Sequence, residues 1–137
     1  MNKIFLDAKI ILDFLDADRR FHNYATELFN ILINYNYSVC FSEDILTTVF
    51  YISKNKQNTL RFFNKIIKLW NVVPFGQDAI QNGINLCLKD KVDLEDVLQC
   101  LCAKHNGCNM LITNDKKFYN CGIEIMTSKE FIEKLKQ

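Results

Sequence analysis

The apolar positions change period along the chain, and those changes predict strands alternating with helices. Lys3–Leu6 reads KIFL, a short apolar run without alternation, which suits a strand buried on both faces and ending at Asp7. Ile10, Ile11, Phe14 and Leu15 then recur at helical spacing, as do Tyr24, Leu28, Phe29, Ile31 and Leu32 after a polar break from Asp16 to Arg20. Tyr37–Phe41 is β-branched and aromatic enough for a second strand, and Ser42 is the expected N-cap of a helix opening at Glu43. An amphipathic helix over Asn58–Leu69, a third extended segment at Val72–Phe75, and helices over Asp78–Leu88 and Asp93–His105 follow. Strands at Met110–Thr113 and Ile123–Met126 and a last helix behind a Thr127/Glu130 capping box complete the order.

Strands alternating with helices imply an α/β fold, here a three-layer α/β/α sandwich around a mainly parallel sheet of about five strands. Pro74 is the only proline and there are 4 glycines, so nothing marks an internal boundary and residues 1–137 are expected to form a single domain.

Composition narrows the function classes. With 49% hydrophobic and 24% charged residues the chain is an ordinary globular mixture, and 17 basic against 16 acidic residues leave a net charge of +1. No bulk charge advertises a polyanionic partner, so any such specificity must be local. Acids interrupt each apolar run near the N-terminus, which predicts neither a signal peptide nor a membrane anchor. The six cysteines lie within apolar runs without a CxxC pair, and neither His22 nor His105 completes a zinc spacing. Buried free thiols and a reducing, cytoplasmic setting are the expectation.

In open α/β sheets ligands bind beyond the carboxyl ends of the strands, and that is where this sequence delivers acids. Asp7 ends the first strand, Asp115 follows the fourth, and Asp93 and Asp96 open a helix whose N-terminus should face the same rim. Carboxylates gathered in one crevice repel unless a cation sits among them, and magnesium or manganese suits such hard oxygen donors. The implied chemistry is phosphodiester hydrolysis, with Lys116 and Lys117 placed to hold phosphates. Plainer roles exist for each residue: Asp93 as an N-cap, Asp96 as a dipole-stabilising acid, Asp115 as a turn residue. Asp13, Asp16 and Asp18 read as the solvated face and exit of the first helix, and the lysines from Lys54 to Lys68 as a solvated face.

IFLDAKIILDFL at Ile4–Leu15 and DLEDVLQCLCAKHNGCNMLITNDKKF at Asp93–Phe118, with the order and spacing between them, resemble the PIN domain family of ribonucleases found in bacterial toxin–antitoxin pairs. The resemblance spans nearly the whole chain. It implies Mg²⁺- or Mn²⁺-dependent cleavage of single-stranded RNA, with Asp7, Asp96 and Asp115 as catalytic metal ligands and Asp93 assisting. It also implies Lys9, Thr113, Lys116 and Lys117 on the substrate and a cognate antitoxin as partner. Two positions depart from the family pattern: Lys9 stands where Asn is usual, and Thr48 aligns near the usual second acid. Lys9 has two open placements, beside Asp7 in partial substitution for a cation, or outward on phosphate. Glu43 or Asp44 could supply a water-bridged carboxylate in place of the acid missing at Thr48. A catalytically silent module that binds protein or RNA without cutting is the alternative function. Phe50, Tyr51, Phe62 and Phe63 could line an antitoxin groove or a homodimer face, though aromatic pairs at helical spacing are more often core. A phospho-receiver domain lacks its required Asp after Val72–Phe75, and a nucleotide-binding enzyme lacks a glycine-rich loop.

Overall fold

A computed structural model describes residues 2–137. Five strands, β1 (Lys3–Leu6), β2 (Ser38–Ser42), β3 (Asn71–Val73), β4 (Met110–Ile112) and β5 (Glu124–Met126), form one sheet in the order β3-β2-β1-β4-β5, every pair parallel. Seven helices connect and cover them among the described residues: α1 (Ala8–Leu15), α2 (His22–Asn34), α3 (Glu43–Ile52), α4 (Lys56–Ile66), α5 (Gln77–Asp90), α6 (Leu94–His105) and α7 (Ser128–Leu135). The chain steps outward from β1 through β2 to β3, then returns to lay β4 on the other flank of β1. The strand order therefore reverses between β1 and β4, the point at which open α/β sheets bind ligands.

Local chemistry accounts for the element ends. Asp7, Ser42, Asn55, Asp93 and Thr127 each cap the helix that follows by accepting a backbone N–H, and Thr127 and Glu130 complete a reciprocal capping box. Gly107 follows the end of α6 at φ +73°, a conformation most side chains resist. Gly83 serves close packing instead: a Cβ there would stand 2.7 Å from the Leu98 side chain, so α5 and α6 approach each other only because it is absent.

Central strands lack solvent-facing sides. Ile4, Phe5, Leu6, Val39, Cys40, Phe41, Leu111 and Ile112 are all at most 1% exposed, as both-face burial requires. Each such large side chain contributes about 1.5–3 kcal/mol through its removal from water. Phe29 anchors one helical layer, stacked on Phe14 and Phe62 and edge-on to Trp70. Phe62 thus belongs to the core, whereas Phe50 and Tyr51 are 36% and 84% exposed. No helix among the described residues is long and apolar enough to cross a membrane.

One expectation from the sequence needs correction. Cys100 on α6 and Cys121 before β5 are bonded to each other, with Cα atoms 6.0 Å apart, while Cys40, Cys87, Cys102 and Cys108 remain free thiols. The pairing was hidden because 21 positions of sequence separate partners that only the β4 crossover brings together. With that pair bonded, the cysteine pattern carries no preference for a reducing compartment.

Candidate active site

Asp7 stands where β1 ends and α1 begins, at the reversal point of the sheet. Its backbone N–H continues the β1–β4 ladder to the Ile112 carbonyl at 3.1 Å, which sets it level with Thr113. One carboxylate oxygen accepts the Ala8 N–H at 2.8 Å, and the other accepts the Thr113 hydroxyl at 2.9 Å. Burial pushes its carboxyl above the ordinary range, and the nearby Asp115 charge adds to this. The Thr113 and Ala8 hydrogen bonds and the Lys9 charge oppose it.

The Thr113 hydroxyl also accepts the Asp115 N–H at 3.1 Å. Thr113 is 1% exposed, and its side chain braces Asp7 and the Asp115 turn from the inner wall of the cleft. Asp115 accepts the Lys117 N–H at 3.0 Å, as the turn reading expects. Lys116 and Lys117 are exposed beside it. A cleft of about 1170 Å³ opens against this turn, walled in part by Arg20, Phe21, Asn114, Lys116 and Lys129.

From the other side comes α6. Asp93 caps it by accepting the Asp96 N–H at 3.0 Å, and Asp96 projects from the third position of the helix. The Asp96 carboxyl is pushed up to about 6, first by loss of solvent contact and then by the charges of Asp93, Asp7, Asp115 and Glu95. The charges of Asp7, Asp93 and Asp115 therefore all reach Asp96, and that of Asp115 also reaches Asp7. Lys9 is exposed and its charge reaches both Asp7 and Glu95, but it forms no ion pair with either. Among the described residues, none of Asp7, Asp93, Asp96 and Asp115 has a lysine or arginine nitrogen within 4 Å.

Several residues of this neighbourhood were not singled out by sequence. Glu95 joins the cluster: partial desolvation and the charges of Asp44, Asp7 and Asp93 hold its carboxyl above its ordinary value. Asp13 is a correction, because it is 3% exposed and not part of a solvated face. It takes an ion pair from Arg19 at 2.7 Å and a hydrogen bond from Asn114 at 3.4 Å. Asn114 in turn accepts from the Ser128 N–H and hydroxyl, so a buried network ties the turn that carries Asp115 to α1 and α7. Asp16 and Asp18 do lie at the helix exit, paired with Lys54.

As donors these carboxylates are of the kind a hard divalent cation takes: all are oxygen ligands, and Lys9 offsets their repulsion only in part, without forming an ion pair. No three acidic, histidine or thiol groups among the described residues already stand close enough to hold an ion.

Comparisons with known proteins bear on the family and the fold. The PIN domain family model matches residues 4–124. Ribonuclease VapC1 of Aquifex aeolicus (strain VF5) is 36% identical over 136 residues, covering 96% of this chain and 94% of the relative. Among solved structures, the Mycobacterium tuberculosis VapC20 toxin, described as cleaving the sarcin–ricin loop, superposes with a TM-score of 0.73 at 14% identity, covering 88% of this chain and 95% of that one. A toxin–antitoxin complex from Klebsiella pneumoniae gives a TM-score of 0.68 at 19% identity, covering 91% and 97%. At such identities the structural likenesses establish a shared fold. With a family model matching most of its length and a full-length relative above one-third identity, the chain belongs to the PIN domain family.

Proposed function

We propose that the protein is a divalent-metal-dependent ribonuclease that hydrolyses phosphodiester bonds of single-stranded RNA, acting as the toxin half of a toxin–antitoxin pair. What supports this reading most is the mutual electrostatic influence of Asp7, Asp96 and Asp115 at the carboxyl ends of the strands, with none of the three in an ion pair among the described residues. The similarity to a ribonuclease over 96% of the chain supports the reaction class. Magnesium or manganese, held by Asp7, Asp96 and Asp115 with Asp93 assisting, would activate a water and offset phosphate charge. Thr113 and the Ala8 N–H fix the Asp7 carboxylate so that it need not reorganise during the reaction. Lys116 at the wall of the cleft and the exposed Lys117 next to it in sequence would offer ammonium groups to the RNA backbone, as would the exposed Lys9 on α1.

An antitoxin partner is supported by relatives solved as toxin–antitoxin complexes. The surface that suits it is the apolar groove between α3 and α4, lined by Leu46, Phe50, Tyr51, Leu60, Phe63 and Ile67. An amphipathic helix of the partner would cover side chains that otherwise face water.

Incubating partner-free protein with single-stranded RNA in magnesium or manganese tests the reading. Cleavage is expected, with Asp7→Asn losing about a thousandfold, the several kcal/mol that a metal-supported charge contributes. Absence of cleavage in both metals, or full activity of Asp7→Asn, would contradict it. Manganese binding or RNA binding without cleavage would indicate a silent module.

A further inference from the structure

The cleft beside the Asp115 turn is also walled by the short corner between α1 and α2, which carries Arg20 and Phe21. Arg20 is exposed, and its guanidinium carbon lies 5.1 Å from the centroid of the Phe21 ring. Among the described residues Arg20 has no carboxylate within 4 Å, and neither has Lys116 on the same wall. A ring holds a guanidinium in place without neutralising it, so the cation keeps its charge and its flat face. The acids of this wall are engaged elsewhere: Glu130 accepts the Thr127 N–H at 2.9 Å in the capping box, and Glu133 lies 4.0 Å from Lys129. Ile125 and Met126 add apolar surface to the same cleft.

The corner is fixed relative to the Asp115 turn. Arg19, just before it, donates through Nε to Asp13 Oδ1 at 2.7 Å. His22, just after it, lies with Nδ1 2.8 Å from the Asp13 carbonyl, which can only accept, so Nδ1 is the donor. Asn114, the neighbour of Asp115, donates to the other Asp13 carboxylate oxygen at 3.4 Å. Asp13 is 3% exposed, so these bonds are largely shielded from competing water. Both flanks of Arg20–Phe21 are thereby tied, through one buried carboxylate, to the turn that walls the other part of the cleft.

We infer that Arg20, backed by Phe21, is a base-stacking subsite of the cleft, taking one unpaired base of an RNA strand whose neighbouring phosphate lies beside Lys116 and Asp115. The inference deepens the proposed function and rests on RNA being the ligand. Unpaired bases stack readily on guanidinium planes as well as on aromatic rings, and a single strand leaves them open to do so. Arg20 is the contact, and Phe21 is a positioning residue that acts through it.

Fluorescence anisotropy separates stacking from simple charge attraction. The probes are labelled dodecauridylate and an abasic ribose-phosphate strand of the same length, titrated with Asp7→Asn protein so that neither is cut. The Asp7→Asn parent is expected to bind dodecauridylate about tenfold tighter than the abasic strand. Arg20→Ala should remove most of that preference, and Arg20→Lys should remove it too while keeping the parent's salt dependence, because an ammonium supplies the charge but not the plane. Phe21→Leu, which keeps apolar bulk at the start of α2, should reduce the preference about threefold, with thermal melts confirming that each variant is folded. A preference unchanged in Arg20→Ala or in Arg20→Lys, or equal binding of both strands by the parent, would overturn the inference and leave the proposed function standing. A preference lost as expected, in a protein that with Asp7 intact cuts no RNA in magnesium or manganese, would keep the subsite and remove the nuclease reading. No binding of either strand would remove both.

Discussion

Asp96→Asn is expected to raise the melting temperature of the metal-free protein by a few degrees while lowering RNA cleavage about a thousandfold. Desolvation and the charges of Asp93, Asp7, Asp115 and Glu95 hold the Asp96 carboxyl at about 6 in the folded protein. A carboxyl raised on folding contributes stability that is complete below its unfolded value and lost as pH rises through its folded one. Near pH 7.5, therefore, ionised Asp96 works against the fold, and a neutral amide of the same shape removes that cost. The stabilisation should shrink as pH falls below 6, where the wild-type carboxyl is itself protonated. Cleavage moves the other way because the repulsion that weakens the metal-free protein is what attracts a cation. Calorimetric melts at several pH values, with cleavage assays on the same samples, check both halves. A variant that melts lower than wild type near pH 7.5 and still cuts RNA would contradict them.

Cys121→Ser is expected to lower the unfolding free energy by about 3 kcal/mol, the loop-closure effect of a bond spanning some 20 residues. That loop contains β4 and the whole Thr113–Asp115 turn, so the bond ties the segment carrying Asp115 to the helix carrying Asp96. Wild-type protein in strong reductant should melt like the variant, and the variant should be insensitive to reductant. Urea unfolding with and without reductant measures the difference. Six thiols titrated in the denatured, unreduced protein would show that the bond does not form.

Much of the fold was legible because each buried strand and amphipathic helix carries its own period. β1 was predicted at its observed limits, and the Ser42, Asp93 and Thr127 caps were correctly placed, since a cap is a local hydrogen bond between a short side chain and its own helix. The predicted bounds of α4 and β3 were shifted by one to three residues; β3 stops before Pro74, which the predicted segment ran through. The places of Asp7 after β1 and of Asp93 and Asp96 at the start of α6 were legible, because an acid at a strand end or helix start is located by the alternation itself. Asp13 was not, because an acid on an amphipathic helix reads as solvated unless its distant partners, Arg19 and Asn114, are known. The Cys100–Cys121 bond was hidden for the same reason: it joins residues that only the crossovers bring together.

Anomalous diffraction from crystals soaked in millimolar manganese tests the central claim most directly. The expected result is an ion held jointly by the carboxylates of Asp7, Asp96 and Asp115, with Lys9 turned away from it. A soak that leaves those three acids without an ion, or places manganese on other residues only, would contradict the claim.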